Sequence, residues 1–379
     1  MLRSARLDVR TFSMGVFLLG AVVAVAASAE EPTDSSNTAP DALSNSGEEV
    51  ATNNTPHRWA VYWENDGALV LKPWDPSDRH YTNGVGASLT WQSPTAGKFW
   101  KDFLGLPAAQ GTAAGVVFGQ EIYTPTDLLR TVPDALDRPY AGYAYGGLFV
   151  QRECNNHLDH LQLNLGVVGP SALARQTQVT IHDTFAGDDP GGWSSQLRDE
   201  LAAQLTYRHK VRIDLPWLDG SAESGIKAQV IPYGEVNLGT VHRDVAGGAT
   251  VRWGLNLPDD FGPGRLRDVA SFTGTRNGAG HPLGTLDADQ WSVYGFARLA
   301  GRYVEWDTFL DGSNYRDPSP ALSKEPWLGE AELGLSVGWE CENNHVEVVY
   351  STTWLTRSFE TQRQDDSYAS LAVQCTVGF

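Results

Sequence analysis

The segment Leu371-Ala-Val-Gln-Cys-Thr-Val-Gly-Phe379 decides the fold. Leu371, Val373, Cys375, Val377 and Phe379 fall on one face and Ala372, Gln374, Thr376 and Gly378 on the other, the two-residue period of a strand with one apolar side. The same alternation runs through Val85-Gly-Ala-Ser-Leu-Thr-Trp91, Leu161-Gln-Leu-Asn-Leu-Gly-Val167 and Ala331-Glu-Leu-Gly-Leu-Ser-Val-Gly-Trp339. A chain that stops on Phe after such a strand reads as a closed antiparallel transmembrane β-barrel of the outer membrane. A soluble sandwich or barrel uses the same period with its apolar face turned inward, so the period alone leaves both open.

Working outward from that strand, the chain carries no apolar run near 18 residues, which excludes spanning helices and leaves strands as the only way across a bilayer. Residues 1–29 hold Arg3, Arg6 and Arg10, the apolar run Val16–Ala26 and then Ala27-Ser-Ala29, the layout of a cleaved secretory signal. Residues 30–57, rich in Glu, Ser, Thr, Asn and Pro, lack the apolar groups to offset ordering entropy and read as a flexible mature N-terminus. The barrel is therefore expected over residues 58–379. The 39 Gly, 13 Trp and 13 Tyr suit such a wall, and Trp59, Trp63, Trp91 and Trp354 are expected in its interfacial girdles. Removing the signal's three Arg and one Asp takes the net charge of −18 to about −20. That sign argues against nucleic-acid binding. Cys154 and Cys341 each stand just before an Asn-rich turn and leave a bridge between them open, while Cys375 sits on the apolar face of the last strand.

Loop lengths fix the sidedness, because such barrels keep short turns and both termini in the periplasm. The last strand descends, so the loop near 357–366 is outside and Asn343-Asn344-His345 is an inner turn. From the other end, Arg58 to Glu64 ascends, residues 123–139 lie outside, and Asn155-Asn156-His157 is again an inner turn. About twelve strands are expected, with the long region 257–288 leaving the count open. After Gly169-Pro170 comes Arg175-Gln-Thr-Gln-Val-Thr-Ile-His182, a helix-compatible stretch in an outer loop that puts Gln178 and His182 on one face. Asn65, Asp66, Thr82, Arg130, Gln178 and His182 thus converge at the outer rim. Taken singly, Asn65-Asp66-Gly67 is also a good turn sequence and Arg130 an ordinary loop charge.

Five ordered blocks carry a resemblance. Glu64-Asn65-Asp66, Asp78-Arg-His-Tyr-Thr82-Asn-Gly84, Gly119-Gln-Glu-Ile-Tyr-Thr-Pro125, Asp137-Arg-Pro-Tyr-Ala-Gly142, and Gly169-Pro170 followed by Gln178 and His182 resemble the lipid A 3′-O-deacylases of Gram-negative outer membranes. The likeness spans about Arg58 to Phe379. It implies a barrel inserted by the barrel assembly machinery, with its site between the wall and an outer-loop helix. The implied reaction is Ca²⁺-dependent hydrolysis of the ester that holds the 3′-linked acyloxyacyl group of lipid A in lipopolysaccharide. By that resemblance Asn65, Asp66, Thr82, Gln178 and His182 are the catalytic set, and Arg130 stands at the substrate-binding position where the family has Lys. Asp188 stands where a Glu is expected.

These residue types suit ester hydrolysis on their own chemistry. Imidazole titrates near working pH and can serve as general base, Asp66 offers an oxygen ligand for Ca²⁺, and Arg130 matches a phosphate in forked geometry. Without a Gly-x-Ser-x-Gly elbow in the barrel region, an outer-membrane phospholipase with a serine nucleophile has less support. A passive pore or structural barrel is the non-enzymatic rival.

Overall fold

The computed structural model describes residues 57–67, 79–106, 109, 111–185, 190–221, 224–269, 291–316, 319–341 and 344–377. The expected signal and flexible N-terminus, Asp188 and the terminal Phe379 lie outside them.

Alternation becomes a wall of twelve long strands: β1 (His57–Asn65), β2 (His80–Gln92), β3 (Gly111–Thr124), β4 (Ala141–Cys154), β5 (His157–Val168), β6 (Glu200–Val211), β8 (Ile226–Gly239), β9 (His242–Leu255), β10 (Trp291–Asp307), β11 (Trp327–Cys341), β12 (Asn344–Leu355) and β13 (Asp366–Val377). A two-residue strand, β7 (Ile213–Asp214), adds only a short pairing to β8. Neighbours pair antiparallel; β1 pairs with β13 and β6 with β8, which closes the ring.

The burial pattern is inverted relative to a soluble fold. Leu148, Leu163, Leu165, Leu201, Leu299 and Leu333 are exposed, while Arg58, Glu64, Arg208, Arg252, Arg298 and Glu332 are buried. Apolar side chains cover the outside and ionic ones fill the lumen, which is stable only where lipid is the outer solvent. Aromatic pairs mark the belt: Trp291 faces Trp339 and Tyr303 faces Trp327 across β10 and β11. Those two rows span about 40 Å of strand, or about 30 Å along the membrane normal at the usual tilt, the thickness of a hydrocarbon core.

Only part of the region 257–288 that sequence left open falls within the described residues. The described part, 257–269, returns into the lumen and is held there by charge. Asp260 takes Arg252; Asp268 binds Arg208 at 2.7 Å and Lys210 at 2.9 Å; Arg265 meets Glu330, and Arg267 meets Glu121 and Tyr123. Leu266 packs among Ala60, Tyr62, Tyr294 and Phe296. Cys154 and Cys375 are free thiols.

Candidate active site

On β1 the inward positions are Arg58, Ala60, Tyr62 and Glu64, so Trp63 and Asn65 turn outward by the pleat. Asn65 pairs in register with Asn83 of β2. Its Nδ2 donates to Asn83 Oδ1 at 3.2 Å, and Trp63 Nε1 donates to the same oxygen at 3.0 Å. Asn65 Oδ1 accepts from the Gly67 amide at 2.9 Å, so the turn chemistry of Asn-Asp-Gly is also present. The neighbouring Asp66 closes the loop that follows it: Oδ2 accepts from the Arg79 amide at 2.7 Å, and its own amide donates to the Thr82 carbonyl at 3.3 Å. A bulge between Tyr81 and Asn83 releases Thr82 from the strict alternation. Its Oγ1 lies 2.6 Å from Oγ1 of Thr124 on the outward face of β3. Asn65, Asp66 and Thr82 are each at most 5% exposed, whereas Val61, Leu89 and Phe118 on the outer face of β1, β2 and β3 are open.

The cover is a helix, Ala174–Phe185, in the loop between β5 and β6. Gly169 at φ +110° starts the loop; a Cβ there would meet the Arg198 backbone at 2.6 Å, so only glycine makes this turn. Ala174, Gln178 and His182, one turn apart, form the helix's buried stripe. The helix lies against β3 and β4. Gly142 makes the approach possible, since a Cβ on it would stand 2.4 Å from that of Ala174. Ile122, Tyr140, Ala174 and Trp193 pack between helix and wall. Trp193 Nε1 donates to Gln178 Oε1 at 2.9 Å, and Tyr140 crosses the indole at 4.8 Å between centroids. Ile122 stands opposite Asn83 in the register. Ile122 thus borders both the helix packing and the strand position of Asn83.

Of the residues named from sequence, Asn65 and Thr82 bond Asn83 and Thr124 on the wall and Gln178 bonds Trp193 beside the helix; these partners, and Tyr140 against Trp193, were not singled out. Asn83 stood inside a quoted motif; Trp193, beyond the helix, gave no signal without the fold. Arg130 lies apart: its carbonyl is beside Gly192, but its guanidinium reaches outward to Asp134 at 3.5 Å, with both side chains half-exposed. His80 clasps outer segments together, with Nδ1 2.8 Å from Asp366 Oδ1 and Nε2 3.3 Å from Asp137 Oδ1. Burial would raise the Asp137 carboxyl, but the His80 hydrogen bond and the Thr126 and Arg138 amides outweigh it and hold the pKa down at about 2.

Among the described residues, no group of three or more His, Cys, Asp or Glu forms a metal cluster. The donors at the rim are oxygens: the Asp66 carboxylate, the Asn65 amide and the Thr82 carbonyl and hydroxyl. Their hardness fits calcium rather than a metal that prefers nitrogen or sulfur.

The family model described as "Outer membrane protein LpxR" matches residues 16–377. The chain belongs to the LpxR family. Among solved structures, LpxR from Salmonella typhimurium superposes at a TM-score of 0.61 with 18% identity, covering 85% of this chain and 100% of that one. The β-domain of the Bordetella autotransporter BrkA matches at 0.40 with 13% identity (86% and 100% covered). The translocator domain of NalP from Neisseria meningitidis matches at 0.36 with 9% identity (97% and 97%). A search of curated protein sequences finds no match. The LpxR family is the one whose motifs were quoted above, so at family level the chain is an outer-membrane lipid A deacylase.

Proposed function

We propose that this LpxR-family barrel hydrolyses the 3′-O-linked acyloxyacyl ester of lipid A in lipopolysaccharide, with His182 as general base. The observation that supports the reading is the burial of polar groups at the outer end of the wall, Asn65, Asp66 and Thr82 on β1 and β2 and Gln178 and His182 on the loop helix. Burying amides, a carboxylate and an imidazole there is costly, and intramembrane polar groups are kept for function. An amphiphile in the outer leaflet reaches this face without entering the lumen.

In this reading His182 takes a proton from the water that attacks the ester carbonyl. Gln178 offers its Nε2 donors, which have no hydrogen-bond partner among the described residues, to substrate or imidazole while Trp193 holds its oxygen. Asp66 would hold Ca²⁺, with oxygens of Asn65 and Thr82 beside it. Bound there, the ion would supply positive charge to the carbonyl oxygen as it becomes anionic. Arg130 would meet a lipid A phosphate at the loop surface.

The test is mass spectrometry of lipid A from cells making this chain or its His182→Ala variant. The expected result is loss of the 3′ acyloxyacyl mass in the first alone. Identical spectra, with both proteins folded in the membrane, refute the enzyme. Activity undiminished in excess chelator refutes the calcium role.

A further inference from the structure

At the opposite, periplasmic end of β5 and β6, another polar group sits on the outside of the wall. His157 Nδ1 and His209 Nε2 stand 3.2 Å apart, their rings 5.3 Å between centroids. Behind them His209 Nδ1 lies 2.8 Å from Asp159 Oδ1. Tyr207 donates to the same oxygen at 2.7 Å, and Arg152 binds Oδ2 at 2.7 Å. With its Nδ1 proton given to this carboxylate, His209 turns a bare Nε2 lone pair toward His157. His157 is exposed and the His209 side chain is 39% exposed, so an ion in the periplasm has access.

We propose that His157 and His209 bind a divalent transition-metal ion of the zinc type at the periplasmic rim. An ion about 2.05 Å from both nitrogens would see them at about 100°, near the tetrahedral angle. The Asp159 contact supplies the carboxylate that orients a metal-bound imidazole and raises its basicity. Two nitrogens favour zinc, nickel or copper over calcium, so this site and the oxygen-lined rim select different ions. Water completes the coordination. His157 supplies its Nδ1 lone pair by moving the proton to Nε2. The ion would pin β5 to β6, the two strands from which the loop helix hangs.

The test is calorimetric titration of Zn²⁺ into the untagged full chain, refolded in detergent with calcium in excess. His157→Ala, His209→Ala and Asp159→Asn are measured beside it, each checked for a folded barrel by heat-dependent gel mobility. One ion per chain is expected for the unaltered protein, no such binding for either alanine variant, and about tenfold weaker binding for Asp159→Asn. Zn²⁺ should also raise the unfolding midpoint of the unaltered chain and leave those of the alanine variants in place. If an alanine variant does not fold, His157→Gln and His209→Gln, which keep an amide in place of the ring, take its place. No binding by the unaltered chain, or equal isotherms for it and the His variants, overturns the proposal.

Discussion

The lumen and the rim site are both polar and buried, yet they are built differently. In the lumen, charges meet opposite charges: Arg208 lies between Glu235 and Asp268, Arg298 binds Glu332 at 2.8 Å, and Arg302 bridges Glu235 and Asp244. The rim holds amides, hydroxyls, one carboxylate and one imidazole, tied through the side chains of Asn83, Thr124 and Trp193 and the Arg79 amide. Paired charges satisfy one another and fix the position of residues 257–269 across the lumen. An array of mostly neutral groups keeps donors and lone pairs that a substrate can use. On the proposed reading, burial of polar groups marks stability on one side of the wall and chemistry on the other.

The largest expected effect breaks the comparison on the outer side. His182→Ala should lower deacylation about 10²–10⁴-fold, the usual contribution of a positioned base, with no loss of barrel stability. Turnover measured on purified lipid A, beside denaturant unfolding, checks both halves. A variant that unfolds more easily but still turns over would reassign His182 to the structural side.

On the inner side the expectation reverses. Arg208→Ala leaves Glu235 and Asp268 without their shared guanidinium, which should destabilise the barrel by about 3–5 kcal/mol. Turnover per folded molecule should stay unchanged. Unfolding followed by tryptophan fluorescence reads the first and active-fraction kinetics the second; loss of turnover at full folding would couple lumen to site.

Gly142→Val sharpens the boundary between wall and cover. Its side chain would collide with Ala174 and lift the helix that carries Gln178 and His182. A displacement near 1 Å should cost about 10²-fold in kcat, with the barrel intact. Unchanged kcat would mean that the helix position is not what orders the site.

The Asp137 carboxyl gives a pH test of the His80 clasp. Its folded pKa of about 2 lies below its ordinary 3.8, so its stabilisation is fully present above 3.8 and is lost as pH falls through 2. Asp137→Asn should flatten the acid limb of the unfolding curve between those values. An acid limb unchanged from the parent protein would remove Asp137 from the clasp.

Much of this was readable before any coordinates. A period of two survives in sequence because each wall residue faces one of two solvents, so the strand segments beginning at Val85, Leu161 and Ala331 fall inside β2, β5 and β11. Gln178 and His182 were legible for the same reason: four residues on a helix define a face. The return of 257–269 into the lumen was not legible, because irregular backbone has no period to read. Nor was the bulge at Thr82, which shifts a single residue without altering the pattern around it. Trp63, read as a girdle residue, turned out to bond Asn83. An indole at the interface satisfies both descriptions, and the sequence does not choose.

Arg130 offers the smallest effect and the finest division. Its ion pair with Asp134 is four residues along one loop, and exposed pairs of this kind contribute only about 0–1 kcal/mol. Arg130→Ala should therefore leave unfolding nearly unchanged. If the guanidinium swings from Asp134 to a lipid A phosphate, the same change raises KM several-fold at constant kcat, the signature of lost uniform binding. Arg130→Lys, which keeps the charge and gives up the fork, should fall between the two. Equal KM for all three would leave Arg130 an ordinary surface charge and confine recognition to the groups under the helix.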